Sequence, residues 1–381
     1  MRTSVLFVTP KWGDGGGERT WLNILARLDR ERFRPSLAYF EKVDSHFLRE
    51  IPDDVPVHDL HKERRLSRDL PRAVRALRAV LREERPDVAV SLLHTWGFLL
   101  DVARLGLVLR MPIIANEHIH VDSSLAYLSG QRPVLSRAAP LLHRLAYARA
   151  TRVVGVSERQ MDDLRRRFHV PAEKTAAIPV GVDVARLRVL AAEPLDDPWC
   201  EERPLLVAIG RLIPQKAFDD LLRAFSRVAE RSDARLVVLG EGELRGELEA
   251  LVRRLGLEER VRLPGLQANP YRFLGRARAF VLSSRWEALP QVVIEALALG
   301  VPVVSTDCPS GPAELLDGGR YGVLVPPAAP EELAAALLRV LDDGAERARL
   351  AALAAERGRT YDVEAMVARY AEEIERAAGR A

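Results

Sequence analysis

Short apolar runs alternate with segments of helical period along almost the whole chain, and the alternation stops once near residue 181 and begins again near 205. Strands that alternate with helices must each be reached by a crossover, so they pair in parallel and are covered by helices on both faces. In the first half, strand-like runs at 4–9, 36–40, 55–60, 87–92, 113–116 and 153–156 are separated by helical patterns at 18–28, 70–85, 98–109, 134–149 and 158–168. In the second half, strands are expected at 205–209, 236–239, 261–263, 280–283, 303–305 and 322–325. Helices are expected there at 218–230, 243–255, 291–299, 330–341, 346–357 and 363–377.

The break at 181–204 holds Pro194, Pro198 and Asp196-Asp197 and keeps no period, which is how an inter-domain linker reads. The fold class is therefore α/β: two Rossmann-like, doubly wound parallel-sheet domains, with a ligand crevice at their strand C-ends. The expected boundaries are 1–185, a linker at 186–203, 204–358, and a terminal segment at 359–381. A length of 381 residues suits two such domains.

Glu287 and Glu295 carry the most chemical information, eight positions apart. The first follows the apolar run 279–282. The second lies inside the wholly apolar stretch 292–299. A carboxylate buried there loses its water at a cost of several kcal/mol unless other groups replace those hydrogen bonds. A polyol such as ribose would replace them, which points to a sugar nucleotide. Structural readings stand beside this one: a salt bridge from Glu295 to an arginine, and a helix-dipole partner role for Glu287.

Gly210, Arg211 and Lys216 lie at the C-end of the first strand of the second half, on the same expected rim as Glu287. A guanidinium fork and an ammonium there can neutralise a diphosphate. Leu289-Pro290-Gln291 is expected to open the helix that carries Glu295, with proline in its first turn and the N–H groups of Leu289 and Gln291 free to face phosphate.

Two glycine loops invite comparison with the dinucleotide fingerprint, and neither matches it. Gly13 to Gly17 lead from strand to helix, but Glu18 stands where the third glycine would fall. Gly16 and Gly17 still allow close backbone approach to an anion. Gly240, Gly242 and Gly246 have one residue too many, and Glu241 and Glu243 would repel a pyrophosphate.

His118 and His94 end strands of the first half, with His120 just beyond. Of these His118 is the first functional candidate and His94 the second. Residues 123–157 lack acidic side chains and carry Arg132, Arg137, Arg144, Arg149 and Arg152 among leucines. One reading is a packed helix pair with a basic rim. The other is a patch for an anionic membrane surface over Arg132–Arg152, though Pro140 is expected to interrupt a long amphipathic helix.

Several classes are excluded. The 57 basic residues nearly balance 54 acidic ones, so no whole-molecule case for nucleic acid exists. Cys200 and Cys308 form no CxxC, and no Asp-x-Asp or His/Cys cluster offers metal ligands, so no metal and no cofactor are expected. Neither a signal peptide nor an 18-residue apolar stretch is visible, and the expected location is cytoplasmic, with peripheral attachment to the inner face of the plasma membrane as an option.

Taken together, these residues resemble the retaining glycosyltransferases of family 4 (group 1), which have the GT-B fold. The resemblance rests on Glu287-x7-Glu295 followed by Ala296 to Ser305, on Gly210 to Lys216, on Gly16-Gly17-Glu18-Arg19, and on Ile178 to Asp183. It covers nearly the whole chain. It implies two domains facing a central cleft, the first binding the acceptor and the second the nucleotide sugar, with a C-terminal helix crossing back to the first. It implies that Glu295 binds ribose and that Glu287 holds the donor sugar near its 3- and 4-hydroxyls. Arg211 and Lys216 would carry the diphosphate, helped by the backbone of Gly16 and Leu289. Backbone near Leu266 and Gln267 would read the base, and His118 would sit beside the reacting sugar. Val180 and Ala288 depart from the family pattern, where Asn and Gly are common.

The segment 305–314 is similar to that of members that build lipopolysaccharide core, capsule or lipid-linked oligosaccharide from UDP-sugars. The expected reaction is transfer of a hexose or N-acetylhexosamine from a UDP-sugar to a glycan or lipid-linked acceptor. GDP-mannose is the competing donor. A UDP-GlcNAc 2-epimerase, a non-catalytic binding subunit and a nicotinamide dehydrogenase are the rival functions.

Overall fold

The computed structural model describes residues 2–13, 15–42, 46–60, 70–107, 109–118, 133–195 and 197–380. At 42, 46, 70, 94–95 and 133–139 it describes the backbone alone. The chain divides into two compact units, the first made of Met1–Gly181 and Val363–Ala381, the second of Val182–Asp362.

The first unit is built on seven parallel strands: β1 (Thr3–Trp12), β2 (Phe33–Lys42), β3 (Val57–Asp59), β4 (Val88–Leu92), β5 (Ile113–Glu117), β6 (Arg152–Gly155) and β7 (Thr175–Ala177). Their order is β3-β2-β1-β4-β5-β6-β7. β4 and β5 are buried at every position, as strands covered by helices on both faces must be. Trp21, Ile24 and Leu25 of the helix Gly16–Arg27 pack in one core with Val363, Met366, Tyr370 and Ile374 of the terminal helix Val363–Ala377. Arg152 at the start of β6 and Glu373 of that helix form a buried ion pair at 2.7 Å. The terminal helix is thus part of the first unit's interior.

The second unit repeats the plan with β8 (Leu205–Ile209), β9 (Arg235–Leu239), β10 (Val261–Gly265), β11 (Ala279–Leu282), β12 (Val303–Thr306) and β13 (Val323–Val325), in the order β10-β9-β8-β11-β12-β13. The helix Phe218–Ala229 shows why the sequence folds this way. Its buried residues Phe218, Leu221, Leu222, Phe225 and Val228 recur at three- and four-residue spacing, Asp219 and Asp220 sit in its first turn, and Arg227 in its last. Each fully buried large apolar side chain contributes roughly 2 kcal/mol.

In both sheets the strand order reverses between the first and fourth strands, at β1/β4 and at β8/β11. Loops at the strand C-ends of such a switch point form a crevice in which ligands bind. The loop after β8 carries Arg211 and Lys216, and the loop after β11 carries Glu287.

Three expectations need correction. The segment 186–203 is no linker: Val184–Ala192 is a helix capped by Asp183, and Asn269 Nδ2 donates to Leu190 O at 2.8 Å, so it packs into the second unit. It buries only Leu187, so it carries almost no amphipathic pattern for the sequence to show. The helix expected at 98–109 runs His94–Ala103, and Gly106 at φ +73° turns the chain away. Pro140 lies inside one helix, Pro133–Arg149, instead of breaking it. Strand β7 and the short helix Tyr271–Leu274 were not legible at all.

Candidate functional site

The loops after β8 and β11 are stitched together by hydrogen bonds on both sides. Ser283 Oγ donates to Lys216 O at 2.7 Å, Arg285 N to Gln215 O at 2.8 Å, and Gln215 Nε2 to Trp286 O at 2.9 Å. The Arg285 guanidinium reaches Asp220 at 3.1 Å, fixing the same loop to the helix that follows Lys216. Backbone atoms here are satisfied by loop partners, because the strands have already ended.

At the centre of this seam Lys216 Nζ lies 2.5 Å from Glu287 Oε1. Glu287 is 6% exposed and also accepts from Ser284 Oγ at 2.6 Å and Gln215 Nε2 at 3.4 Å. Thr306 Oγ1 in turn donates to Ser284 O at 2.6 Å, so β12 holds the serine that holds the carboxylate. The buried charge is compensated by a cation and neutral donors, which is the condition under which a buried carboxylate persists. Lys216 reaches it by lying across Gly210, where a Cβ would stand 3.2 Å from the lysine's Cε.

Arg211 is exposed on the same rim, and no ion pair or hydrogen bond of its side chain occurs among the described residues. The glycine loop Gly240-Glu241-Gly242 explains its placement. A Cβ at Gly240 would fall 2.0 Å from Gly210 O, and one at Gly242 2.3 Å from Leu212 O. Leu212 N donates to Glu241 O at 2.8 Å. These glycines let two backbones lie in contact.

Glu295 is also 6% exposed. Its partners include Tyr271, whose hydroxyl donates to Oε1 at 3.1 Å, and Gln291, whose Nε2 donates to the same oxygen at 2.9 Å. The helix is Gln291–Ala298, with Pro290 as its N-cap and no side chain capping it. Proline therefore stands one position earlier than expected, and the free N–H groups begin at Gln291. Gly311 lies against this loop: its N donates to Ala288 O at 2.9 Å, and a Cβ there would meet Leu289 Cα at 2.8 Å. Beside Glu287 the Cys308 thiol is pushed up to about 12 by burial and then by the Glu287 charge. Leu266 is 67% exposed in the loop after β10, and Gln267 Nε2 beside it donates to Pro264 O at 3.0 Å.

In the first unit, Gly16 and Gly17 open the helix Gly16–Arg27 behind Gly15, which has no side-chain cap. Glu18 folds back over Gly15, its Oε2 2.5 Å from where a Cβ on Gly15 would be. His118 follows β5, partly buried, and a Cβ on Gly17 would stand 3.9 Å from its Cγ. Burial holds its imidazole well below the ordinary histidine value, at about 4. Asn116 Nδ2 lies 3.1 Å from His118 Nε2.

The basic segment is only partly free. Arg149 pairs with Asp101, and Arg152 with Glu373. Arg144 is exposed, with Leu141, Leu142 and Leu145 exposed around it. Arg132, His120 and residues 122–132 lie outside the described residues, as do the side chains of His94 and Arg137. No helix among the described residues is long and apolar enough to cross a membrane.

The family model "Glycosyltransferase Family 4" matches residues 14–186, and "Glycosyl transferases group 1" matches 203–343. The chain belongs to glycosyltransferase family 4, group 1. Its GT-B fold, two parallel-sheet Rossmann-like domains, is also that of Anabaena HepE in complex with UDP-glucose. That structure has a TM-score of 0.81 at 21% identity and covers 98% of this chain and 100% of that one. An N-acetylgalactosaminyltransferase of Campylobacter jejuni, acting on a diphospho-undecaprenol-linked glycan by its name, is 31% identical over 57% of this chain and 58% of its own. The lipopolysaccharide core biosynthesis glycosyltransferase LpsE of Rhizobium meliloti is 33% identical over 57% of this chain and 62% of its own. The chain thus spans about three fifths of the length of these curated relatives.

Sequence reasoning missed Gln215, Ser283, Ser284, Arg285, Tyr271 and Thr306, which position the acidic pair. Their only signal was nearness in the chain to residues already singled out.

Proposed function

We propose that this family member transfers a hexosyl or N-acetylhexosaminyl group from a UDP-sugar to a hydroxyl of a glycan or lipid-linked acceptor, with retention, in cell-surface polysaccharide biosynthesis. The observation that carries it is the Lys216–Glu287 pair at the β8/β11 switch point, with Arg211, which has no side-chain partner among the described residues, on the same rim. Glu295 offers a second buried carboxylate on the following helix. The UDP-glucose complex of HepE and the lipid-linked acceptor in the name of the Campylobacter enzyme support the donor and acceptor classes.

The chemistry follows from these groups. Arg211, Lys216 and the uncapped helix start at Gln291 stabilise negative charge on a departing diphosphate, while Glu295 accepts from ribose hydroxyls and Glu287 from hydroxyls of the sugar. The bond between the sugar's anomeric carbon and the phosphate oxygen breaks first. The acceptor oxygen then bonds to that carbon on the same face, and its proton passes to the leaving phosphate. Positioning and fixed charge supply the rate, with no metal ion and no strong side-chain base. Leu266 and Gln267 border the base, Gly16 and Gly17 approach the phosphates, and His118 contacts the sugar. Leu141, Leu142, Leu145 and Arg144 form a face for an anionic membrane surface, which fits a cytoplasmic, peripheral enzyme.

A panel of UDP-, GDP- and ADP-sugars tests the donor by thermal shift and slow hydrolysis. UDP-sugars should give the largest stabilisation. A response to GDP-mannose alone, or conversion of UDP-GlcNAc into its 2-epimer without acceptor, would replace this reading.

A further inference from the structure

Asn116 is wholly buried at the end of β5, and its side chain joins two others. Tyr370, 1% exposed on the terminal helix Val363–Ala377, donates its hydroxyl proton to Asn116 Oδ1 at 3.1 Å. On the other side Asn116 Nδ2 stands 3.1 Å from His118 Nε2. The direction of the chain is set by the orientation of the amide. Burial raises the Tyr370 phenol well above its ordinary value, so it keeps the proton that it donates to Oδ1. The amide oxygen faces Tyr370 and the NH2 faces the imidazole. An NH2 can only donate, so Nε2 must accept.

We propose that Tyr370 and Asn116 are positioning residues that hold His118 as a neutral imidazole with its proton on Nδ1, so that it presents one hydrogen-bond donor and neither a base nor a cation. A ring whose proton-accepting nitrogen is already used cannot take a proton from an acceptor hydroxyl. A neutral ring is also no counter-ion for a diphosphate. It suits an uncharged oxygen, such as a hydroxyl of a sugar. Loss of water is what keeps the ring neutral, and neither Glu18 of the adjoining helix nor Glu117 beside it in the chain offsets that. The terminal helix, which rejoins the first unit only at residue 363, thereby sets the tautomer of a strand-end histidine. The tautomer stands on the hydrogen bonds of Asn116, and the neutral state of the ring on its burial. Its use on a donor sugar rests on the function proposed above.

Long-range 1H–15N spectra of the 15N-labelled full chain test it, with His118 signals assigned by their loss in His118→Gln. Between pH 5 and 8 the pyridine-type nitrogen should be Nε2. Tyr370→Phe removes the hydroxyl, frees the amide to rotate, and should shift population toward protonated Nε2. Asn116→Asp should put the proton on Nε2 outright. A wild-type ring protonated on Nε2, or a tautomer that neither substitution moves, overturns the proposal. In UDP-sugar hydrolysis, Tyr370→Phe should lower kcat roughly tenfold, one hydrogen bond's worth, with KM unchanged. A shifted tautomer with unchanged kcat would keep the tautomer and remove its role on the sugar.

Discussion

Lys216 and Glu287 come from loops after two different strands, β8 and β11, and meet at 2.5 Å where the strand order of the second sheet reverses. Each is the other's condition for being there. The ammonium and carboxylate have side-chain exposures of 15% and 8%, too little for water to solvate either alone.

Removing one partner should therefore cost both stability and turnover. Lys216→Ala leaves Glu287 buried without its cation, and a loss of about 3 kcal/mol in urea unfolding is expected. Its kcat/KM for a UDP-sugar should drop by orders of magnitude. Lys216→Met with Glu287→Gln removes both charges and should recover most of the stability while turnover stays lost. A double variant as unstable as Lys216→Ala would mean that the pair's charges are not what holds the seam.

Arg211 should behave in the opposite way. Being exposed, with no side-chain partner among the described residues, it is not needed for folding, and Arg211→Ala should change stability by less than about 0.5 kcal/mol. Nucleotide affinity should weaken roughly 10- to 100-fold, the size of one charge-assisted contact. Calorimetric titration of UDP into both proteins reads this directly, and equal affinities would remove Arg211 from the diphosphate site.

Gly311→Ala tests the loop that carries the helix start. The added methyl would sit 2.7 Å from Ala288 O and from Pro290 Cδ, both rigid neighbours, so the 288–290 backbone has to shift. A stability loss of about 1–3 kcal/mol is expected, together with weaker UDP binding. Unchanged binding in a destabilised variant would separate the loop from the nucleotide.

Much of this was written in the sequence. The two runs of strand and helix give the parallel sheets, because apolar runs bounded by helical patterns leave few other solutions. Glu287 and Glu295 stood out since a charge in an apolar stretch needs a partner. What stayed hidden were the partners. Ser284, Gln215 and Tyr271 are ordinary polar residues, and nothing local says that the first two meet at Glu287 and the third at Glu295. Tyr370 reads only as one apolar position of an amphipathic helix, yet it closes a hydrogen-bond chain with Asn116, 254 positions away. The helix Val184–Ala192 buries only Leu187 and so leaves no apolar stripe to read, and the glycines at 240 and 242 resemble a phosphate loop because close backbone contact and ligand approach need the same residue.

Thiol chemistry offers a check on burial beside the site. Cys308 is 1% exposed and its thiol is pushed up to about 12, and Cys200 likewise, by burial first and Asp197 next. At pH 8 neither forms appreciable thiolate, so iodoacetamide should leave both unmodified in the native protein and alkylate both in denaturant. Rapid native labelling at Cys308 would show that the loop beside Glu287 opens.

His118 makes a signed prediction about acid. Its folded pKa, about 4, lies below the value near 6.5 that an unfolded histidine has. Above pH 6.5 the ring is neutral in both states and costs nothing. As pH falls from 6.5 toward 4 the unfolded chain takes up a proton that the native ring refuses, and stability declines by at most about 1.4 kcal/mol per pH unit from this group. Glutamine at this position has no such proton. Unfolding free energies of the wild type and His118→Gln, measured in urea at pH 7, 6 and 5, should therefore converge as pH falls if the wild type starts higher, or diverge with the wild type below if the two start equal. Parallel curves through that window would mean that the imidazole titrates in the folded protein as it does in water, and that the strand end around it is wet.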